Sequence, residues 1–240
     1  MDMISAPVIP DIDLACLPHG QVMDMVQAGR DFILARDRLR QTGRTVIDEW
    51  LGGQGRRLVP YTHYPAGDVY DYASHSQYYF HSHRGGELGH IHTFLRPRGM
   101  PPGVHPADPS DWRGPDDNDA LSHLVAISVD TDGTPVQLFT TNRWVTAETW
   151  YRADDVKKML PCFGVAHDRP SSLANLWVTA LVRLFIPQIE RLLDARDRLI
   201  DQHRHRLPGI PVYEDREIEV TSIIDISVSD HIDKIISLVE

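Results

Sequence analysis

The spacing of apolar residues changes twice along the chain. Over 21–40 they recur at helical intervals with Asp and Arg between them, which predicts an amphipathic helix, and 45–51 predicts a short helix ending at Gly52. Over 78–94 and again over 121–144 the pattern alternates every second residue around glycine-containing turns. That alternation predicts two β-hairpins.

Helical spacing returns in the second half of the chain. We predict a helix over 146–160 and a longer one over 171–206 that Pro187 kinks or divides. An alternating stretch over 217–228 predicts a last strand, and 232–239 predicts a short closing helix. Together these elements predict an α+β fold, in which several helices pack on an antiparallel sheet of about four to five strands.

Two stretches at the surface carry no regular period. Residues 1–19 predict an irregular N-terminal arm. Residues 97–119 are rich in Pro, Gly and Asp, and a connection of that length is usually functional or disordered. Two interpretations of 97–119 stay open, namely a lid that brings His105 or Trp112 to a site and an ordinary surface loop.

The first hairpin carries two His-x-His pairs, made of His81, His83, His90 and His92. If the diglycine at 85–86 is the centre of a two- or four-residue loop, His81 lies opposite His90. The same register sets Tyr79 opposite His92. Because side chains alternate between faces, all four histidines then share one face, and opposed residues have Cβ atoms about 4.5–5.5 Å apart.

Four neutral imidazoles on one face suit a transition metal ion such as Fe, Cu or Zn. The segment before the hairpin adds Asp68 and Asp71, either of which could bind the metal or accept a hydrogen bond from an imidazole, although each alone is more typical of a turn. His123 of the second hairpin could face the same histidines. The alternative is that the histidines are exposed positions of an ordinary hairpin, but the convergence of two pairs favours the metal site.

Composition limits the class of protein. The chain has 240 residues, of which 42% are hydrophobic and 24% charged, and we expect residues 1–240 to form a single globular domain. A formal net charge of −10 argues against nucleic acid or an anionic membrane as a partner. Two cysteines, no leader sequence and no membrane-length apolar run predict a cytoplasmic protein. Histidine is the unusual feature, because seven of the 13 lie between positions 63 and 105.

The segment His81-Ser-His83-Arg-Gly-Gly-Glu87 resembles the HxHx3E core of the first cupin motif. Cupins are double-stranded β-helix barrels in which those two histidines and that glutamate bind a catalytic metal, so the resemblance implies Glu87 as a further ligand. The flanking glycines of that motif and the second cupin motif are missing here. More broadly, residues 63–94 resemble an uncharacterised bacterial family with an HxH…ExGHxH core, which implies a shared site without an assigned activity.

Three functions from different classes are compatible with the histidine cluster. The first is a non-haem metalloenzyme of oxidoreductase or dioxygenase type, with an open position for O₂ or a small-molecule substrate, Tyr79 as a proton or electron donor, and an acidic residue such as Glu87 completing the ligand set. The second is a closed four-histidine Zn site, or an accessory protein that binds metal or haem without catalysis. The third is a metal-free binding domain with a pH-sensitive histidine cluster.

Overall fold

The computed structural model describes residues 6–53, 58–111 and 118–239. Within these ranges, six strands form one open antiparallel sheet in which each strand pairs with the next along the chain. The strands are β1 (Tyr64–Tyr70), β2 (Ser76–His81), β3 (Gly89–Leu95), β4 (Ser122–Val129), β5 (Pro135–Thr141) and β6 (Val220–Asp225). Both predicted hairpins and the predicted C-terminal strand are therefore confirmed.

The expected number of four to five strands was too low, because the sequence pattern did not reveal β1. Its proline and glycine indicate irregular chain, and the strand is indeed irregular. The pairing with β2 shifts between Tyr64 and Val69, and Gly67 and Asp68 have φ angles of 84° and 59°. Since β1 is an edge strand, its unpaired side tolerates Pro65 and a bulge that a central strand would not.

Helices make up most of the remaining described chain. They are α1 (His19–Gln41), α2 (Val46–Leu51), α3 (Arg143–Thr146), α4 (Ala153–Met159), α5 (Ser172–Leu184), α6 (Ile186–Arg206) and α7 (Val228–Ser237). Short 3-10 helices lie at Leu14–Cys16, Pro97–Gly99, Pro109–Asp111, Leu160–Cys162 and Val212–Glu214. Among the described residues no single helix has the length and apolarity to cross a membrane, although α5 and α6, bent by 68° at their junction, meet that test as a pair.

Several predicted helix boundaries are confirmed. A capping box between Thr45 and Asp48 begins α2, and Ser171 accepts a hydrogen bond from the first turn of α5. The long helix is divided next to Pro187, as predicted. The helix predicted over 146–160 is wrong in its first half, because Ala147 adopts a φ of 54° and ends α3, and the chain becomes helical again only at α4.

The two faces of the sheet differ in what covers them. One face, which we call the helix face, carries Tyr78, Phe80, Ile91, Val125 and Leu138, and all of these belong to the main hydrophobic core. Trp50 of α2 stacks on Phe80 with ring centroids 5.1 Å apart, and Trp177 of α5 packs edge-on against Trp50. The opposite side, which we call the histidine face, carries the alternate residues of the same strands.

Candidate metal centre

The predicted hairpin register is confirmed at the positions that matter for the site. His81 pairs with His90, and Tyr79 pairs with His92. The loop is longer than the predicted two or four residues, because β2 ends at His81 and β3 begins at Gly89. A side chain at Gly89 would clash with the His81 carbonyl oxygen and the Phe80 ring, so glycine is required where β3 begins.

Three of the four predicted histidines converge. His81, His90 and His92, which we call the histidine triad, each offer a ring nitrogen, and these nitrogens all lie within 4.8 Å of one another. The Nε2 atoms of His81 and His90 are 2.7 Å apart. In a tetrahedral zinc site with Zn–N bonds of about 2.0–2.1 Å, ligand nitrogens lie about 3.3 Å apart, so small ring rotations would fit the triad to one ion.

The triad is buried, and burial keeps His81 and His92 uncharged. The exposed fractions of His81, His90 and His92 are 7%, 1% and 0%. Burial, followed by the neighbouring histidines, lowers the pKa of His81 to about 2 and that of His92 well below its ordinary value. Neutral imidazole is the form that binds metal, so the fold holds these ligands ready at neutral pH without proton loss.

Glu87 fixes the orientation of His90. Its carboxylate contacts Nδ1 of His90 in a close, buried pair. Although burial opposes it, the hydrogen bond with His90 lowers the pKa of Glu87 below its usual value, so the group is a carboxylate. The Nδ1–H of His90 therefore donates to Glu87, and its Nε2 lone pair is directed at His81. Carboxylate–histidine pairs of this kind orient metal ligands and increase their basicity.

His92 is oriented by a second histidine. Its Nδ1 lies 3.0 Å from Nε2 of His123, which is 1% exposed, and burial lowers the pKa of His123 to about 3. Glu148, fully buried with its pKa raised by burial to about 7, accepts a hydrogen bond from the backbone N–H of His123 at 2.7 Å. Donation from His92 to His123 leaves the His92 Nε2 lone pair free, and this buried atom has no hydrogen-bond partner among the residues that the structure describes.

A β-bulge in β4 brings His123 to the site. The register between β3 and β4 shifts between Thr93 and Phe94, so that Val125 pairs with Thr93 while His123 pairs with Phe94. Leu124 is the extra residue. Without this extra residue, the side chain of His123 would point to the same side of the sheet as that of Val125, which is the helix face. The sequence suggests His123 only as one candidate among several, because the bulge has no signature in the hydrophobic pattern.

His83 lies next to the triad without joining it. It belongs to the loop after β2, is half-buried, and its ring centroid lies 4.8 Å from that of His81 and 5.0 Å from that of His90. On its other side it stacks on Tyr61, which is largely exposed. The longer loop takes His83 out of the strand register that was expected to align it with the others.

Tyr79 lies between the triad and the surface. Its ring centroid is 5.3 Å from those of His81 and His92, and His63 stacks on its outer side at 3.6 Å. Burial raises the pKa of Tyr79, so its hydroxyl stays protonated. His63 is held at 2.9 Å by Asp68, which makes a second carboxylate–histidine pair at the rim.

Other residues considered from the sequence are not brought to the triad. Asp71 accepts hydrogen bonds from the backbone N–H groups of Ala73, Ser74 and Ala166, which is the turn role that was the more typical for it. His105 is exposed, and the next residue, Pro106, forms a β-bridge with Tyr151 in the segment leading into α4. Trp112 lies outside the described residues.

The sequence model of a family described as a domain of unknown function, DUF6969, matches residues 26–226. That match covers most of the chain and includes the whole histidine triad. The chain belongs to the DUF6969 family. No curated protein and no solved structure matches it. The expectation of an uncharacterised family is thus confirmed, whereas the cupin resemblance extends no further than its motif. In this DUF6969 protein the strands form an open sheet, and Glu87 contacts His90.

Proposed function

We propose that this DUF6969 protein is a metal-dependent enzyme that holds a transition metal ion with His81, His90 and His92. The observation that carries the proposal is the Nε2 atom of His92, which is buried, has no hydrogen-bond partner within the described ranges and belongs to a cluster of three ligand-competent nitrogens. An unsatisfied buried polar atom costs about 1–3 kcal/mol, and a bound cation would offset that cost.

The number of ligands favours a catalytic site over a closed one. Three imidazoles leave at least one coordination position for an exogenous molecule, as in catalytic rather than structural zinc sites. His83 is the natural fourth ligand, yet it is not part of the group that converges. A two-histidine-one-carboxylate set built with Glu87 is also disfavoured, because that carboxylate is already engaged by His90 Nδ1.

Redox chemistry with iron or copper is the reaction class that we propose, with O₂ or a small molecule as the substrate. Iron and copper both accept imidazole ligands, and the bound ion would supply the change of oxidation state. Tyr79 is the proposed proton or electron donor, since its ring adjoins two of the triad rings and its hydroxyl is protonated. The acidic net charge and the two free cysteines support a cytoplasmic protein without a nucleic-acid partner.

A non-catalytic metal-binding protein is the second candidate, and the nearly complete burial of the triad from solvent favours it. His90 and His92 are at most 1% exposed, as expected of a zinc site that stabilises a fold. In this alternative, His83 turns inward and closes the coordination sphere.

Metal analysis of protein purified without an affinity tag separates these functions. We expect about one equivalent of iron or copper, and X-ray absorption spectra with three nitrogen ligands from histidine plus one or more oxygen ligands from water or another exogenous molecule. One equivalent of zinc with four histidine ligands would support the second candidate. Protein that binds no transition metal at neutral pH, and whose melting temperature does not rise on metal addition, would refute both.

A further inference from the structure

Arg84 places a positively charged group with an unsatisfied hydrogen-bond donor near the triad. It lies in the loop between β2 and β3, and its guanidinium carbon lies 4.4 Å from the centroid of the Phe139 ring. Its Nη1 atom is buried and has no hydrogen-bond acceptor among the described residues. A buried N–H of a charged group without an acceptor is costly, so a fold retains one where a ligand supplies the acceptor.

The guanidinium and the triad share the Phe139 ring as a neighbour. Phe139 packs edge-on against His90, with ring centroids 5.2 Å apart, on the histidine face of the sheet. Burial is the main cause of the lowered pKa of His83, and the neighbouring charge of Arg84 adds to it. The carboxylate of Glu87 is hydrogen-bonded to His90 and does not accept from Nη1 of Arg84. The unpaired donor thus lies near the proposed metal ligands, with Phe139 in contact with both Arg84 and His90.

The unsatisfied donor of Arg84 favours an anionic ligand. Of the nearby carboxylates, Glu87 is hydrogen-bonded to His90, and Nη1 of Arg84 has no acceptor among the described residues. A guanidinium that stacks on a ring keeps its N–H groups in one plane at the edge, which matches the two oxygens of a planar carboxylate.

We propose that Arg84 binds the carboxylate group of a small carboxylate-bearing substrate at the metal centre. This specificity rests on the proposed metal-dependent function, and it defines the substrate class of that function. Arg84 holds the anionic group, and the triad holds the ion next to it.

The test uses purified protein loaded with Co²⁺, whose visible absorption reports ligands that reach the metal site. Titration with acetate at constant ionic strength is expected to change the spectrum with saturation, while the neutral isostere acetamide is not. In Arg84→Met the acetate dissociation constant should rise about tenfold to a hundredfold with Co²⁺ content unchanged. The matched control is Arg198→Met, because Arg198 is an exposed arginine of α6. Equal acetate affinity in Arg84→Met and in the wild type would overturn the proposal.

A metal-independent measurement separates failure of this inference from failure of the proposed function. If the wild type binds no Co²⁺, the metal centre is refuted, and Arg84 is then tested by the rise in melting temperature that acetate causes in metal-free protein. A larger rise in the wild type than in Arg84→Met supports the anion site, and equal rises overturn it. Circular dichroism checks that the variant is folded, and Arg84→Gln serves as the second variant if it is not.

Discussion

The two faces of the sheet are built from alternating residues of the same strands, yet they bury different kinds of side chain. On the helix face, Phe80 and Ile91 are fully buried in the main core, and the buried hydroxyl of Tyr78 donates a hydrogen bond to Asn175 Oδ1. On the histidine face, His81 and His92 are nearly as buried, but Nε2 of His92 has no hydrogen-bond partner among the described residues. The first face consists mainly of apolar side chains, whereas the second buries histidine rings and leaves one of their nitrogens unsatisfied.

Within one hairpin, the helix face therefore contributes to folding stability and the histidine face to the proposed metal binding. Apolar area and aromatic stacking stabilise the helix face, so its residues can be exchanged only at a cost in folding free energy. The histidine face buries groups whose desolvation opposes folding unless a ligand compensates. We therefore expect substitutions on the two faces of β2, only one residue apart, to have different effects on unfolding and on metal binding.

The largest expected effect is on the histidine face. His81→Ala with His90→Ala removes two of the three proposed ligands and should abolish stoichiometric metal, a loss of more than about 5 kcal/mol if total affinity resembles that of structural zinc sites. Metal content after dialysis measures it. His83→Ala is the control and should retain its metal, because His83 lies outside the triad. Full metal content in the double variant would refute the site.

On the helix face, Phe80→Ala should lower the free energy of unfolding by about 3–5 kcal/mol. The ring is fully buried and stacks on Trp50, so its loss leaves a cavity in the core. Urea denaturation measures the change, and the folded fraction should still bind metal with the stoichiometry of the wild type. Tyr79→Phe, one residue away, is the matched control and should cost less than about 1 kcal/mol. Similar losses in both variants would contradict the contrast between the faces.

Acid should destabilise the metal-free protein through the histidine face. His81, His92 and His123 have pKa values lowered in the folded state, so below pH 6.5 the unfolded chain binds more protons and stability falls as the pH falls. Glu148, whose folded pKa is raised to about 7, opposes this between about pH 7 and 4.5. At about pH 5.5 these four groups together take up a net two protons on unfolding, three through the histidines less one through Glu148, which contributes a loss of about 2.7 kcal/mol per pH unit. His231, whose pKa burial lowers to about 4, adds to this loss.

Denaturation at pH 7, 6 and 5 measures this slope. His123→Gln removes one titrating group and should lower the slope by about 1.4 kcal/mol per pH unit. A stability that is constant between pH 7 and 5 would mean that the buried histidines are not held neutral by the fold.

The smallest effect concerns the carboxylate behind the triad. Glu87→Gln removes the charge that orients His90 and should weaken metal binding about tenfold to a hundredfold while leaving the stoichiometry at one. Competition with a coloured chelator measures the affinity. Glu217→Gln, at an exposed position, is the control and should bind as the wild type does. An unchanged affinity in Glu87→Gln would remove Glu87 from the site.

The sequence alone determined the strand pairing that carries the site. The period-two pattern on both sides of the diglycine set His81 opposite His90 and Tyr79 opposite His92, because side-chain alternation leaves few registers that bury one face. It likewise determined α1, α2 and the division of the long helix at Pro187, where capping residues and proline act locally.

Only the tertiary structure decided which residues complete the centre. The bulge at Leu124 turns His123 toward His92, and the longer loop withdraws His83 while directing Glu87 at His90. These contacts join segments distant in sequence or depend on one inserted residue that changes the face of every side chain beyond it. The hydrophobic pattern gives the register of a hairpin closed by a recognisable turn, but it reveals neither a bulge in the next strand nor the course of the loop, so it identified the histidines without choosing among them.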